Sequence, residues 1–172
     1  VPTEPGVAIA SGTIHTSGIV GGDVTILGDR IGVIDAQIRA DGIQGGGQIR
    51  IGGEYQGGDS LFQAQRSLVD VNSVLSADAM LSGNGGRVII WADEATGFYG
   101  KISAQGGERS GDGGFVEVSG LEYLDYRGVT DTTAANGLTG LLLLDPTNIE
   151  IVNAGGIGAL NDVDNILDPD LD

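Results

Sequence analysis

Cysteine is absent from the 172 residues, which excludes disulfides, thiolate metal sites and a cysteine nucleophile. Proline is scarce, with 4 residues and no Gly-X-Y period, so a collagen-like triple helix is excluded as well. Positive charge is equally thin: 8 Lys and Arg stand against 24 Asp and Glu, for a net charge of −16. A chain of that sign has no basic footprint for nucleic acid. Its acidity fits a solvated surface, a positively charged partner or a divalent cation. Lys101 is the sole lysine and His15 the sole histidine. No apolar run reaches the length of about 18 residues that a membrane span needs. The opening residues Val1-Pro2-Thr3-Glu4-Pro5-Gly6 show neither the charged nor the apolar region of a signal peptide. The expectation is a segment cut or processed from a longer chain, with any export signal upstream.

Glycine is what the chain has in excess. It contributes 32 residues, far above the usual share of about 7 %. Disorder does not account for it, because 40 % of the residues are hydrophobic and Val, Ile and Leu alternate with polar residues. An all-β fold with many tight turns does.

The organising feature is an internal repeat. A strand opener of the form Gly-Gly-x-(Val/Ile)-x-(Ile/Val) occurs at Gly21-Gly22-Asp23-Val24-Thr25-Ile26 and at Gly46-Gly47-Gln48-Ile49-Arg50-Ile51. It returns at Gly85-Gly86-Arg87-Val88-Ile89-Ile90 and at Gly113-Gly114-Phe115-Val116-Glu117-Val118. The spacings are 25, 39 and 28 residues. A second element, Ile38-Arg39-Ala40-Asp41-Gly42, Leu75-Ser76-Ala77-Asp78-Ala79 or Ile102-Ser103-Ala104-Gln105-Gly106, sits just ahead of the later three openers. The long middle spacing marks residues 53–66 (GEYQGGDSLFQAQR) as an insertion.

Glycine interrupts nearly every helical window, at about 1 kcal/mol each relative to alanine. Even in residues 59–82, where glycine is thinnest, Val69-Asp70-Val71 and Val74-Leu75-Ser76-Ala77 read as strands rather than helix. Short strands at this period, each apolar on one face, predict stacked repeats of a β-solenoid over residues 1–152, with a β-sandwich as the alternative. The inward residues are then Val24/Ile26, Ile49/Ile51, Val88/Ile90 and Val116/Val118, with glycines at corners that need positive φ or close backbone approach. The continuous run Leu141-Leu142-Leu143-Leu144 predicts burial on both faces. A turn at Asp145-Pro146-Thr147-Asn148 and a strand at Ile149-Glu150-Ile151-Val152 follow. Residues 153–172, with Asp162, Asp164, Asp168, Asp170 and Asp172, form an acidic continuation toward a downstream segment.

The ordered set IRADG, GGGQIRIGGEYQG, SVLSADA, GNGGRVIIWADEATGFYGKISAQGG, GDGGFVEVSG and TGLLLLDPTNIEIV resembles the repeat region of filamentous-haemagglutinin-type exoproteins over residues 11–152. The resemblance implies a right-handed parallel β-helix, export through an outer-membrane two-partner-secretion transporter, and an adhesive or matrix role at the bacterial surface. It does not extend to the family's secretion-signal domain, which is expected further toward the N-terminus.

The polar residues point to no catalytic site. Asp93 and Glu94, with Trp91, Tyr99 and Lys101 close in sequence, are the nearest approach to a carbohydrate-active site, with the aromatic rings as a sugar platform. The favoured reading packs Trp91, Phe98 and Tyr99 against the wall of the fold and leaves Asp93, Glu94 and Lys101 as a solvated rim. Glu117 and Glu122 are expected to point outward, Glu117 beside Arg87 of the neighbouring repeat. No Ser in a GxSxG context accompanies His15. Asp162/Asp164, Asp168/Asp170/Asp172 and the 106–113 stretch offer oxygen ligands for Ca²⁺ but lack the EF-hand and nonapeptide patterns. No catalytic, cofactor or metal residue is assigned. The expected function is a non-enzymatic rod that presents the loops 53–66, 92–100 and 106–113. Its expected partners are the secretion transporter, surface glycans or matrix, and further copies meeting end to end. A polysaccharide lyase or hydrolase, or a ligand-free spacer, is the alternative.

Overall fold

The computed structural model describes residues 6–147. These residues form strands, one 3-10 turn and no α-helix. The chain is all-β, as expected. In order come β1 (Val7–His15), β2 (Asp23–Ile26), β3 (Arg30–Arg39) and β4 (Gln48–Ile51), then the 3-10 turn Tyr55–Gly57. There follow β5 (Arg66–Val69), β6 (Val74–Ser76), β7 (Arg87–Ala92), β8 (Ala95–Phe98) and β9 (Lys101–Ser103). β10 (Phe115–Gly120), β11 (Tyr123–Tyr126), β12 (Val129–Asp131) and β13 (Leu141–Leu143) complete the described chain. Residues 69–76 form no helix: β5 ends at Val69, a turn with the Ser73 N–H on the Asp70 carbonyl takes the place of the strand expected at 70–71, and β6 is Val74–Ser76.

Every strand pair is parallel. One sheet runs β2-β4-β7-β10-β13; the other runs β11-β8-β5-β3-β6-β9-β12, with β1 also on β3. β3 serves two neighbours because it bends: its first part pairs with β5 and its last with β6, and Asp35 between them has φ 49°. The β1–β3 pairing shifts register at the same level, β3 carrying one more residue between Val33 and Ala36 than β1 does between Ala10 and Gly12, where Gly12 has φ 72°.

The four openers begin β2, β4, β7 and β10 and lie in register. Val24 pairs with Ile49, Ile49 with Val88 and Val88 with Val116, so equivalent residues stack at each rung. The inward alternation is as expected: these residues and Ile51, Ile90 and Val118 are buried in one core with Ile31, Ile38, Leu75, Phe98 and Ile102. Each such side chain stabilises the fold by about 1.5–3 kcal/mol relative to exposure.

The structure also explains why the two sequence elements travel together. The second glycine of each of the later three openers donates its N–H to the alanine carbonyl of the element before it: Gly47 to Ala40, Gly86 to Ala77 and Gly114 to Ala104, each at 2.7 Å. The first glycine lies against the next rung. A Cβ on Gly46 or Gly85 would stand 2.0 or 2.2 Å from the carbonyl oxygen of Ala77 or Ala104. Close approach, not positive φ, is therefore what the opener glycines supply.

At the far edge, Leu142 and Leu144 pack on the core, but Leu141 is 57 % exposed, so burial on both faces does not hold there. β13 is the last strand of its sheet among the described residues and has a neighbour on one side only. The strand expected at 149–152, the acidic continuation at 153–172 and residues 1–5 lie outside the described residues.

Candidate functional site

The insertion does not stand away from the molecule as a presented loop. The chain leaves β4 at Gly52, where φ is +80°, and returns at Ala64, whose N–H donates to the Gly52 carbonyl at 2.6 Å. Between these points, residues 53–58 lie as a strap across the outer face of β7 and β10. Glu54 caps the 3-10 turn by accepting from the Tyr55 N–H at 2.9 Å and pairs with Arg50 at 3.3 Å. The Tyr55 N–H holds the Glu54 carboxyl below its ordinary range. Gly57 (φ +65°) fits over Trp91, where a Cβ would meet the ring at 2.6 Å. Trp91 is consequently 4 % exposed, Ile89 beside it is fully buried, and the indole N–H donates to Asp93 at 3.0 Å. Farther along, Phe62 remains exposed.

Under the strap lies the residue that most departs from expectation. Glu117 does project from the outer face of β10, yet it is fully buried rather than solvated. Its Oε1 and Oε2 accept from the Gln56 N–H at 3.1 and 3.3 Å, and Oε1 accepts from Ser119 Oγ at 3.1 Å. Gln56 has φ 51° and ψ 37°, one of two non-glycine residues with positive φ among those described. Arg87 is not its partner. The register sets Glu117 against Ile89 and Arg87 against Phe115, and the Arg87 guanidinium rests 5.1 Å from the Tyr55 ring centroid and 5.2 Å from that of Phe115. Burial pushes the Glu117 carboxyl above its ordinary range; this outweighs the hydrogen bonds from Gln56 and Ser119, with Asp145 acting in the same direction as burial and Arg87 against it. Glu122 is exposed, as expected.

Residues 92–100 are not a loop either, since they include β8. The packing role of their aromatic residues is as expected. Phe98 is buried and stacks on Tyr126 at 5.3 Å, and the Tyr99 hydroxyl donates to Asp125 at 2.9 Å. Trp91, held under the strap, offers no face to a sugar. Asp93 and Glu94 form less of a solvated rim than expected: both are half-buried, and Glu94 pairs with Arg66 at 2.9 Å. Lys101 and His15 are exposed. Of the three expected loops, 53–66 keeps an exposed turn at Asp59, Ser60 and Phe62, and 106–113 an exposed tip at Glu108, Arg109 and Ser110. Among the described residues, no group of three or more His, Cys, Asp or Glu converges as a metal site.

Two features escaped the sequence reading. The first is a corner where parallel bridges align Gly18 with Gly42 and Gly42 with Ala79. The next residue in each rung is apolar and open to solvent: Ile19 (67 %), Ile43 (46 %) and Met80 (63 %). Its signal was the residue following Asp41-Gly42 and Asp78-Ala79 in the second repeat element. The second is a polar column beside that corner. Asp41 accepts from the Asp78 N–H at 2.9 Å, and Asp78 accepts from Ser103 Oγ at 2.6 Å and the Gln105 N–H at 2.7 Å. Asp131 accepts from the Thr133 N–H at 2.9 Å and from Gln105 Nε2 at 2.7 Å. The Thr133 donors hold the Asp131 carboxyl below its ordinary range. These carboxylates tie rung to rung. An open groove of about 590 Å³ also runs over the paired opener glycines, walled by Gln48, Arg87, Phe115 and Leu141.

The chain is similar to the HMW1 secretion domain from Haemophilus influenzae, with 27 % identity and a TM-score of 0.62, over 83 % of this chain and 40 % of that one. It thus spans less than half the length of that solved chain. The similarity is to a secretion domain, the part of such proteins to which the sequence reading extended no resemblance. No family model and no curated protein matches. No helix among the described residues is long and apolar enough to cross a membrane.

Proposed function

We propose that this chain is a right-handed parallel β-helical segment of a secreted bacterial exoprotein of the two-partner-secretion type, with a structural and adhesive role and no catalysis. The observation that carries the reading is the register. Val24, Ile49, Val88, Val116 and Leu142 occupy one column on five parallel strands, as expected of a chain wound repeatedly over one core. The similarity to a secretion domain supports export through an outer-membrane transporter and a place outside the cell.

The non-enzymatic reading draws support from where the carboxylates are spent: Asp93 on the Trp91 indole, Glu94 on Arg66 and Glu117 on the strap. On this reading the surface contacts glycans or matrix through exposed side chains, and Ca²⁺ is not required. The exposed apolar residues Val7 and Ile9 on β1, and Val129 and Leu141 at the opposite edge, support end-to-end association of isolated copies. Sedimentation that shows only monomer at high concentration would argue against that association.

The deciding experiment is a polysaccharide panel on the purified chain, scoring bound fraction and new reducing ends or unsaturated products together, with and without Ca²⁺. Binding without cleavage is the expected result. Cleavage would replace this reading with that of a carbohydrate-active enzyme, and silence on both counts would favour a ligand-free spacer.

A further inference from the structure

We propose that Asn136 is a site of spontaneous deamidation driven by the Gly137 nitrogen, and that its conversion loosens the exposed tip of the 106–113 loop. The chemistry favours an Asn or Asp followed by Gly, because a residue without Cβ lets its own nitrogen reach the preceding side-chain carbonyl. A nitrogen whose N–H is bonded within the fold must break that bond before it can attack. Four such steps occur among the described residues: Asp41-Gly42, Asn84-Gly85, Asp112-Gly113 and Asn136-Gly137. In the first three the glycine N–H is held, by the Asp78 carbonyl at 2.8 Å, the Asp112 carbonyl at 2.9 Å and the Leu138 carbonyl at 2.8 Å. The Gly137 N–H alone makes no hydrogen bond among the described residues. The two asparagines therefore differ. Asn84 is fixed on Asp112 twice, since its Oδ1 also accepts the Asp112 N–H at 2.9 Å. Asn136 is tied only through Nδ2, which donates to the Glu108 carbonyl at 2.8 Å, in a stretch exposed from 135 to 139 where water can replace that bond.

In the reaction, hydroxide takes the Gly137 N–H proton, the nitrogen bonds to Asn136 Cγ, and the Cγ–Nδ2 bond breaks with release of ammonia. Water then opens the cyclic imide. Addition at the side-chain carbonyl gives aspartate, and addition at the backbone carbonyl gives isoaspartate, which lengthens the main chain by a methylene. Neither product keeps the donor that Asn136 offers to the Glu108 carbonyl, and both set a negative charge beside Glu108 and Asp112. Gly137 is packed on the same loop, since a Cβ there would stand 2.0 Å from the Gly111 carbonyl oxygen. The longer chain of isoaspartate therefore displaces the loop as well.

The test is incubation of the whole chain at about pH 8, in buffer and in concentrated urea, with peptide mass spectrometry reading the gain of about 1 Da that marks loss of the amide. In buffer, conversion should be at least about ten-fold faster at Asn136 than at Asn84, which must first give up its ties to Asp112. In urea the two rates should come within about two-fold of each other, because unfolding removes those ties. Trypsin cleavage after Arg109, at the loop tip, should be about three-fold faster or more in Asn136→Asp than in the wild type, with an unchanged far-UV circular dichroism spectrum. Should that variant fail to fold, wild-type protein aged until Asn136 is converted serves instead. Equal conversion of Asn84 and Asn136 in buffer would overturn the assignment. So would an intact Asn136 in buffer, or a ten-fold gap that survives in urea. Cleavage after Arg109 that is unchanged by conversion would overturn the loosening of the tip.

Discussion

Along the outer face of β7 and β10, Ile89 and Trp91 are sealed beneath a six-residue crossing of the chain, whereas at the corner following β3 and β6 the side chains of Ile43 and Met80 face solvent. Both regions place apolar residues outward, along one strand in the first and on successive rungs in the second. What separates them is one insertion. The 39-residue spacing between the second and third openers leaves spare chain at 53–66, and that chain folds back over the only tryptophan. Ordering it costs backbone entropy, which a large buried indole can offset. The corner residues have no such extra chain beside them and remain bare. In a repetitive β-fold, then, a loop's length says little about whether it presents itself or covers its neighbour; what it lands on decides.

The comparison can be broken most severely through the glycines that both regions share. Gly85→Ala sets a Cβ 2.2 Å from the Ala104 carbonyl oxygen, where only backbone can give way. The expected loss is above about 4 kcal/mol, read by urea unfolding, and a loss near that of a surface substitution would refute the close-approach account. Next comes Trp91→Ala, which empties the sealed face and should cost about 3 kcal/mol. It should also raise binding of an apolar dye, as the strap loses its seat.

On the polar column a smaller effect is expected. Asp131→Asn weakens the acceptor for the Thr133 N–H and should cost about 1 kcal/mol near neutral pH. Because the folded Asp131 carboxyl lies below its ordinary range, its contribution is present above the unfolded pKa of about 3.9 and is lost as pH falls through the folded value. The gap between wild type and variant should therefore close in acid. Smallest is Ile43→Ser at the bare corner, within about 0.5 kcal/mol of wild type. A loss comparable to that at Trp91 would mean the corner is covered after all.

Much of this architecture was legible beforehand, for a physical reason. Alternation along Val24-Thr25-Ile26 or Val88-Ile89-Ile90 states which side chains share a face, and the recurrence of Gly-Gly with the Ala-Asp element reflected a backbone contact, now visible from Gly86 to Ala77. The packing role of Trp91 and Phe98 was legible too, since rings of that size seldom stay in water. Glu117 was not. Alternation placed it outward, correctly, but outward means solvent only where nothing lies above, and the cover comes from 61 positions away. At Arg87 the cause was different: aligning the openers residue by residue sets it opposite Phe115 rather than Glu117, and only the ring of Tyr55, carried in by the strap, was hidden.

By itself the sequence determined the all-β class, the repeat, the inward columns and the need for glycine at the openers, because these follow from local patterning and from contacts repeated identically at each rung. Tertiary structure alone decided where the insertion lies, that Glu117 is dry, and that one apolar strip is shut while the other stays open. Those outcomes depend on a single non-repeating contact between distant segments, and local patterning carries no trace of such a contact.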